Sequence, residues 1–186
     1  MQRTALVLAG LLSAAEASAQ GYFGGSFGQG NFSEGVTAPL ITSGAADRDT
    51  TAFKLFGGLQ FHPNFGLEIA YVDLGDASYS GSFFGLPVTG GKVEGAGFNL
   101  SGVVSFPASA AVSVFGKIGL FLWDLEARDT TDGLPFATSA GGSDPSFGLG
   151  LDYRYSRNWS LRAEWESFKL DDESARLISI GIVYRF

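Results

Sequence analysis

The chain has 186 residues, 45% hydrophobic and only 17% charged, with 27 Gly, 17 Phe, no Cys, one His and a formal charge of −7. The lack of cysteine removes disulfides, thiol catalysis and Cys-ligated zinc, a lone His leaves no multi-histidine metal site, and a pI near 4.6 lacks the basic face that nucleic-acid phosphates require. Low charge with abundant Gly and aromatics fits a single all-β domain better than a helical bundle.

The opening segment reads as an address. Arg3 precedes an apolar stretch from Ala5 to Ala15 that is too short to span a bilayer, and Ala17-Ser18-Ala19 supplies small residues in an A-x-A pattern. Residues 1–19 are therefore expected to be a signal peptide cleaved before Gln20, and 20–186 the exported domain. Beyond residue 20 no apolar run has the length of a transmembrane helix, so the remainder is either soluble outside the cytoplasm or crosses a membrane as strands.

A period of two then dominates. Eight extended segments are predicted, at roughly 21–32, 51–61, 66–78, 91–106, 112–126, 145–156, 159–169 and 175–186. Tight turns fall at His62-Pro63-Asn64-Phe65, at Pro107 to Ala111 and at Arg157-Asn158. Long Gly/Ser/Thr/Asp-rich loops are expected at about 33–50, 79–90, 127–144 and 170–174. Short turns at one end and long loops at the other describe an antiparallel up-and-down barrel.

Each strand separates an apolar face from a polar one. In the second, Phe53, Leu55, Leu59 and Phe61 oppose Lys54 and Gln60; in the fourth, Leu100, Val104 and Phe106 oppose Asn99, Ser101 and Ser105. The fifth sets Val114, Ile118, Leu120 and Leu122 against Lys117, although Phe115, Phe121 and Trp123 share the lysine's face. In the sixth Phe147, Leu149, Leu151, Tyr153 and Tyr155 oppose Asp152 and Arg154; in the seventh Leu161, Ala163 and Trp165 oppose Arg162, Glu164 and Glu166; in the last Ile178, Ile180, Ile182, Tyr184 and Phe186 oppose Ser179, Gly181 and Arg185.

A water-soluble lipocalin-like barrel would turn the charges outward, and a membrane barrel turns them inward. Three features favour the membrane. Aromatics near the tight-turn end (Phe61, Phe106, Tyr153, Tyr155, Trp159, Tyr184 and Phe186) form an interfacial girdle, the sequence ends on an aromatic, and the polar faces hold the small residues and mixed charges that suit a narrow interior.

The stretch from Phe56 to Gly75 (FGGLQFHPNFGLEIAYVDLG), the ending from Leu177 to Phe186 (LISIGIVYRF) and the opening Tyr22-Phe23-Gly24-Gly25-Ser26-Phe27-Gly28 resemble the OmpA-type eight-stranded outer-membrane barrel. The resemblance implies a bacterial outer-membrane location among lipid and lipopolysaccharide, and a terminal strand, through Tyr184 and Phe186, read by the barrel-insertion machinery. Family members often carry a second, peptidoglycan-binding domain; this sequence ends at Phe186, and no wall-anchoring role is expected. The resemblance also places lumen charges at Glu68, Lys117, Asp152, Arg162 and Glu164, whereas Val103 and Ser26 stand where the family pattern has Lys. By parity Lys54, Arg154 and Glu166 join the set. With Arg185 this makes five inward cations against four anions, under an acidic outer rim.

No catalytic constellation accompanies these charges. A serine nucleophile needs a base, and His62 lies in a tight turn; Glu164 and Glu166 stand beside Arg162 in a crowded interior, where salt bridging outweighs acid–base chemistry. The glycine clusters lack the spacing and following helix of a phosphate loop. Acidic runs at Asp47 and Asp49, Asp124 to Asp132 and Asp171-Asp172-Glu173 offer bridges through divalent cations to lipopolysaccharide phosphates, without the spacing of a calcium loop. The expectation is a non-enzymatic, cofactor-free, monomeric outer-membrane barrel with a structural or surface-interaction role and a lumen plugged by salt bridges. The alternatives are a narrow ion-conducting, porin-like channel and a loop-mediated adhesin or immune-evasion protein.

Overall fold

The computed structural model describes residues 20–32, 44–47, 49–83, 86–131, 134–171 and 173–186; for 44–49, 77–93 and 127–138 the backbone alone is described. The expected signal peptide, 1–19, lies outside the described residues. Among the described residues nine strands run in chain order: β1 (Gln20–Phe32), β2 (Gly44–Asp47), β3 (Asp49–His62), β4 (Phe65–Phe83), β5 (Leu86–Pro107), β6 (Val112–Thr131), β7 (Leu134–Arg154), β8 (Trp159–Leu170) and β9 (Glu173–Arg185).

Eight of them form the barrel wall, each antiparallel to its chain neighbour; β2 pairs only with the far end of β4. The ring closes where β1 meets β9, in register from Tyr22↔Arg185 to Phe32↔Ala175. Closure leaves no unpaired strand edge at membrane depth, which hydrocarbon would not tolerate. The tight turns lie where the sequence places them. Pro63-Asn64 joins His62 to Phe65, with Gln60 Nε2 donating to Pro63 O at 2.8 Å. The Ser109 hydroxyl accepts from the Val112 amide at 3.1 Å, and the Asn158 side chain donates to Arg185 O at 2.8 Å, tying the last strand to the neighbouring turn.

At the other end two expected loops are strands. Segments 79–90 and 127–144 continue the β4–β5 and β6–β7 ladders as far as Phe83↔Leu86 and Thr131↔Leu134. Composition conceals this because a ladder projecting beyond the lipid has water on both faces and needs no apolar alternation. The segment expected as a loop at 33–50 contains β2 and the start of β3, while 33–43 lies outside the described residues. At Gly75 the β4–β5 register slips; its φ of 74° and the Asp73 carboxylate that accepts its amide at 2.9 Å mark a bulge, and a Cβ here would sit 2.3 Å from Thr51 O. The β8–β9 turn passes through Asp171, whose φ of 61° is one that Asp tolerates.

The faces are inverted relative to a water-soluble protein. Ile118 is 74% exposed, with Phe27, Leu55, Leu100, Leu149, Ile178 and Ile180 also on the outer surface, whereas Lys54 is 0% and Arg162 4% exposed. The girdle aromatics Phe61, Phe106, Tyr153, Tyr155, Trp159 and Phe186 are exposed around the tight-turn end, where Trp159 packs on Tyr184 at 4.9 Å between centroids. Such an exterior is matched to hydrocarbon, and the soluble arrangement does not apply.

Placing a charge on this exterior has a defined cost. Ile118→Lys is expected to lower the unfolding free energy in lipid bilayers by about 2 to 4 kcal/mol, read by urea titration; an unchanged midpoint would mean that Ile118 does not sit against the hydrocarbon core.

Candidate functional site

Alternation along the strands brings the charged side chains together inside the wall. β3 contributes Lys54, β4 Glu68, β6 Lys117, β7 Asp152, β8 Arg162, Glu164 and Glu166, and β9 Arg185. Gly148 and Gly150 on β7 face the same interior; a Cβ on the first would lie 3.0 Å from Glu166 Cγ, and one on the second 2.3 Å from the Phe115 ring, so their small size makes room for larger neighbours.

The charges form one connected chain. The Lys54 ammonium donates to Glu164 and, at 2.5 Å, to Glu166 Oε2. Lys117 Nζ reaches Glu166 Oε1 at 2.7 Å and Glu68 Oε1 at 2.9 Å, and also contacts Glu164. Arg162 then links two carboxylates, with Nη1 on Glu68 Oε2 at 2.7 Å and Nε on Asp152 Oδ1 at 2.8 Å. Arg185 closes the series on Asp152 Oδ2 at 2.7 Å, nearest the tight-turn end. Tyr22 donates its hydroxyl to Glu68 Oε2 at 2.9 Å. Arg162 also lies 4.4 Å from the Phe115 centroid and 4.8 Å from that of Phe56, where ring faces stabilise a desolvated guanidinium.

One expected member lies elsewhere. Arg154 is exposed at the last residue of β7, beside the turn, because the inward direction at the end of the wall meets water rather than lumen. Without it the network has four cations, Lys54, Lys117, Arg162 and Arg185, against four anions, Glu68, Asp152, Glu164 and Glu166. The ion-paired set among the described residues is thus balanced rather than one charge in excess, with Arg185 only partly buried at its tight-turn end. Val103 and Ser26 are both buried uncharged.

Above the charges lies an apolar layer of which parity identifies only a part. Phe121, Trp123 and Leu177 face inward as their parity predicts; Phe32, Leu74, Phe168 and Leu170 pack in the same cluster, with Phe121 and Phe168 4.6 Å apart. The signal for Phe168 and Leu170 was available, since they continue the inward parity of Arg162, Glu164 and Glu166. Between the layers the Ser146 hydroxyl donates to Asn99 Oδ1 at 2.6 Å. At the outer end Asp144 accepts the Trp123 indole N–H at 2.7 Å and the Asp171 amide at 3.1 Å.

The described outer end carries Asp73, Asp76, Glu94, Asp124, Glu126, Asp144, Asp171 and Glu173 against Lys169 and Arg176. For Asp47, Asp49, Asp129, Asp132 and Asp172 the side chains lie outside the described residues. His62 is exposed in its turn, its Nδ1 accepting the Asn64 amide at 3.2 Å. Among the described residues every interior carboxylate faces a cation, an arrangement that holds the wall together.

The sequence pattern described as "Outer membrane protein beta-barrel domain" matches residues 4–186. The chain belongs to this outer-membrane barrel family. The barrel accordingly resides in the outer membrane and is not an enzyme. Among curated proteins it is similar to Outer membrane protein A of Yersinia pseudotuberculosis, at 29% identity over 204 residues; all of this chain aligns, and it spans 56% of that protein's length. Among solved structures it resembles the attachment invasion locus protein Ail of Yersinia pestis, with a TM-score of 0.62 and 18% identity over 91% of this chain and 100% of that one. Ail in complex with the heparin analogue sucrose octasulfate gives a TM-score of 0.61 and 16% identity over the same shares. These likenesses to Ail concern the fold.

Removing one partner from a buried pair leaves its counter-charge stranded. Lys54→Met is expected to destabilise the barrel by about 3 to 5 kcal/mol in urea titrations, with partial recovery when Glu164→Gln is added, while Arg154→Ala changes stability by less than about 0.5 kcal/mol. Equal effects of Lys54→Met and Arg154→Ala would contradict the separation between them.

Proposed function

We propose that this outer-membrane barrel is a closed structural element that presents its outer strands to the surroundings, its lumen plugged by Lys54, Glu68, Lys117, Asp152, Arg162, Glu164 and Glu166, with Arg185, rather than serving as a conduit. The observation that carries this reading is the unbroken ion-pair series from Lys54 to Arg185 beneath the apolar layer of Phe32, Phe121 and Phe168. An eight-stranded interior is only wide enough for side chains to fill it. Moving an ion through would require parting charges that have no solvent to turn to.

Other elements of the reading concern biogenesis and surroundings. Residues 1–19 direct export and are removed, and Tyr184 and Phe186 at the end of the last strand are the feature that the insertion machinery reads. Lipid and lipopolysaccharide surround the wall, and the outer carboxylates favour divalent cations over polyanions as bridges to lipopolysaccharide phosphates. The polyanion seen with Ail therefore does not carry over to the acidic outer end of this chain. A surface-interaction role draws support from the ladders that continue to Phe83 and Thr131, which place backbone well beyond the apolar band.

Purified protein in planar bilayers is expected to give no discrete conductance steps. Steps whose size shifts when Lys117→Met or Arg162→Met is introduced would establish the narrow-channel alternative and overturn the plug.

A further inference from the structure

The outer wall is uneven, and among the described residues its unevenness leaves one strand half-covered. β7 pairs with β6 along its whole length, from Thr131↔Leu134 to Val112↔Tyr153. Its other side pairs with β8 only from Ser146↔Phe168 to Arg154↔Ser160. β8 stops at Leu170, and the turn that follows is fastened to Asp144 through the Asp171 amide. Among the described residues no strand covers the remaining side of β7 from Leu134 to Pro145, an edge about 35 to 40 Å long at strand rise. The opposite edge of the same projecting sheet is treated differently: β2 pairs with β4 from Gly44↔Gly81 to Asp47↔Ser78.

Open edges are ordinarily blunted with charge, proline or a bulge. From Phe136 to Ser143 the β7 edge reads Phe-Ala-Thr-Ser-Ala-Gly-Gly-Ser, with neither charge nor proline, and its register with β6 is unbroken throughout. Pro135 and Pro145 stand at its two ends, so the stretch between keeps every amide. We propose that this edge takes up an extended, cationic segment of another polypeptide as an added β-strand, a proposal that rests on the surface reading above. Backbone hydrogen bonds supply the affinity, as in strand addition generally.

The charge of the guest follows from the neighbouring strand. Asp124 pairs with Gly141 and shares its face; its Oδ1 lies 2.8 Å from where a Cβ on Gly141 would be, so the carboxylate leans over the edge strand. A Lys or Arg on a strand added about 4.8 Å away reaches it, and an acidic side chain there would be repelled. A second copy of this chain is disfavoured on two grounds. It would bring a second Asp124 to the seam, and two copies in one membrane point the same way, which forbids antiparallel pairing of the same edge.

The test uses the full chain in lipid nanodiscs and a capped peptide alternating Lys and Thr, long enough to span Phe136 to Asp144. Binding is expected to slow hydrogen exchange in 134–145, to vanish when the peptide is N-methylated throughout or carries Glu for Lys, and to weaken about fivefold with Asp124→Asn, the scale of one exposed ion pair. No binding, or binding that ignores N-methylation and leaves β7 exchange unchanged, overturns the proposal. Labelling of Ser139→Cys on intact cells separates the two readings: a labelled cysteine without peptide binding removes the strand-addition proposal alone, and an unlabelled one removes the surface reading with it.

Discussion

Hydrocarbon provides no hydrogen-bond partner, so a strand that crosses it must find both neighbours within the protein. The seam between β1 and β9 answers that requirement: eleven consecutive residue pairs, from Tyr22↔Arg185 to Phe32↔Ala175, convert a meander into a ring. The remaining features depend on that closure. Once the ring is shut, every second side chain faces lipid and every other one a narrow interior, and the two sets of residues can no longer exchange roles.

The interior solves an electrostatic problem that closure creates. Lys54, Lys117 and Arg162 are removed from water, which is tolerable only because each faces carboxylates on strands distant in sequence. Arg162 illustrates the economy of the arrangement, since one guanidinium joins Glu68 on β4 to Asp152 on β7 and rests against two phenylalanine rings. Cross-lumen pairs of this kind brace the wall from inside, and the apolar layer around Phe121 and Phe168 covers them from the outer end.

Beyond the lipid the constraint relaxes, and the barrel loses its symmetry. Water can satisfy an open strand edge, so β4 to β7 continue outward while β8 and β9 turn back at Asp171. The same freedom explains why composition there resembles that of loops: with both faces in water, Ser139, Gly141 and Ser143 can occupy a strand without any alternation of polarity.

Within the wall, most of the candidate site was legible in advance. Period-two alternation puts Lys54, Lys117, Asp152, Arg162, Glu164 and Glu166 on one face and Ile118, Leu149 and Ile180 on the other, because strand geometry ties a residue's face to its parity, whereas Glu68 joins the set through the family resemblance. Parity failed for Arg154, where the wall ends and inward no longer means enclosed. It was also silent about partners: Lys54 and Glu164 stand 110 positions apart and meet only because the closed ring turns their strands toward a common axis. Alternation along the chain suffices for the strands within the wall and for the two faces of most of them, and the resemblance for the membrane, whereas β2 and the outward extensions of β4 to β7 do not follow from it. Which charges pair, and which strand edge no described strand covers, follow from the assembled ring alone, since both depend on the register and length of neighbouring strands, properties that no single strand contains.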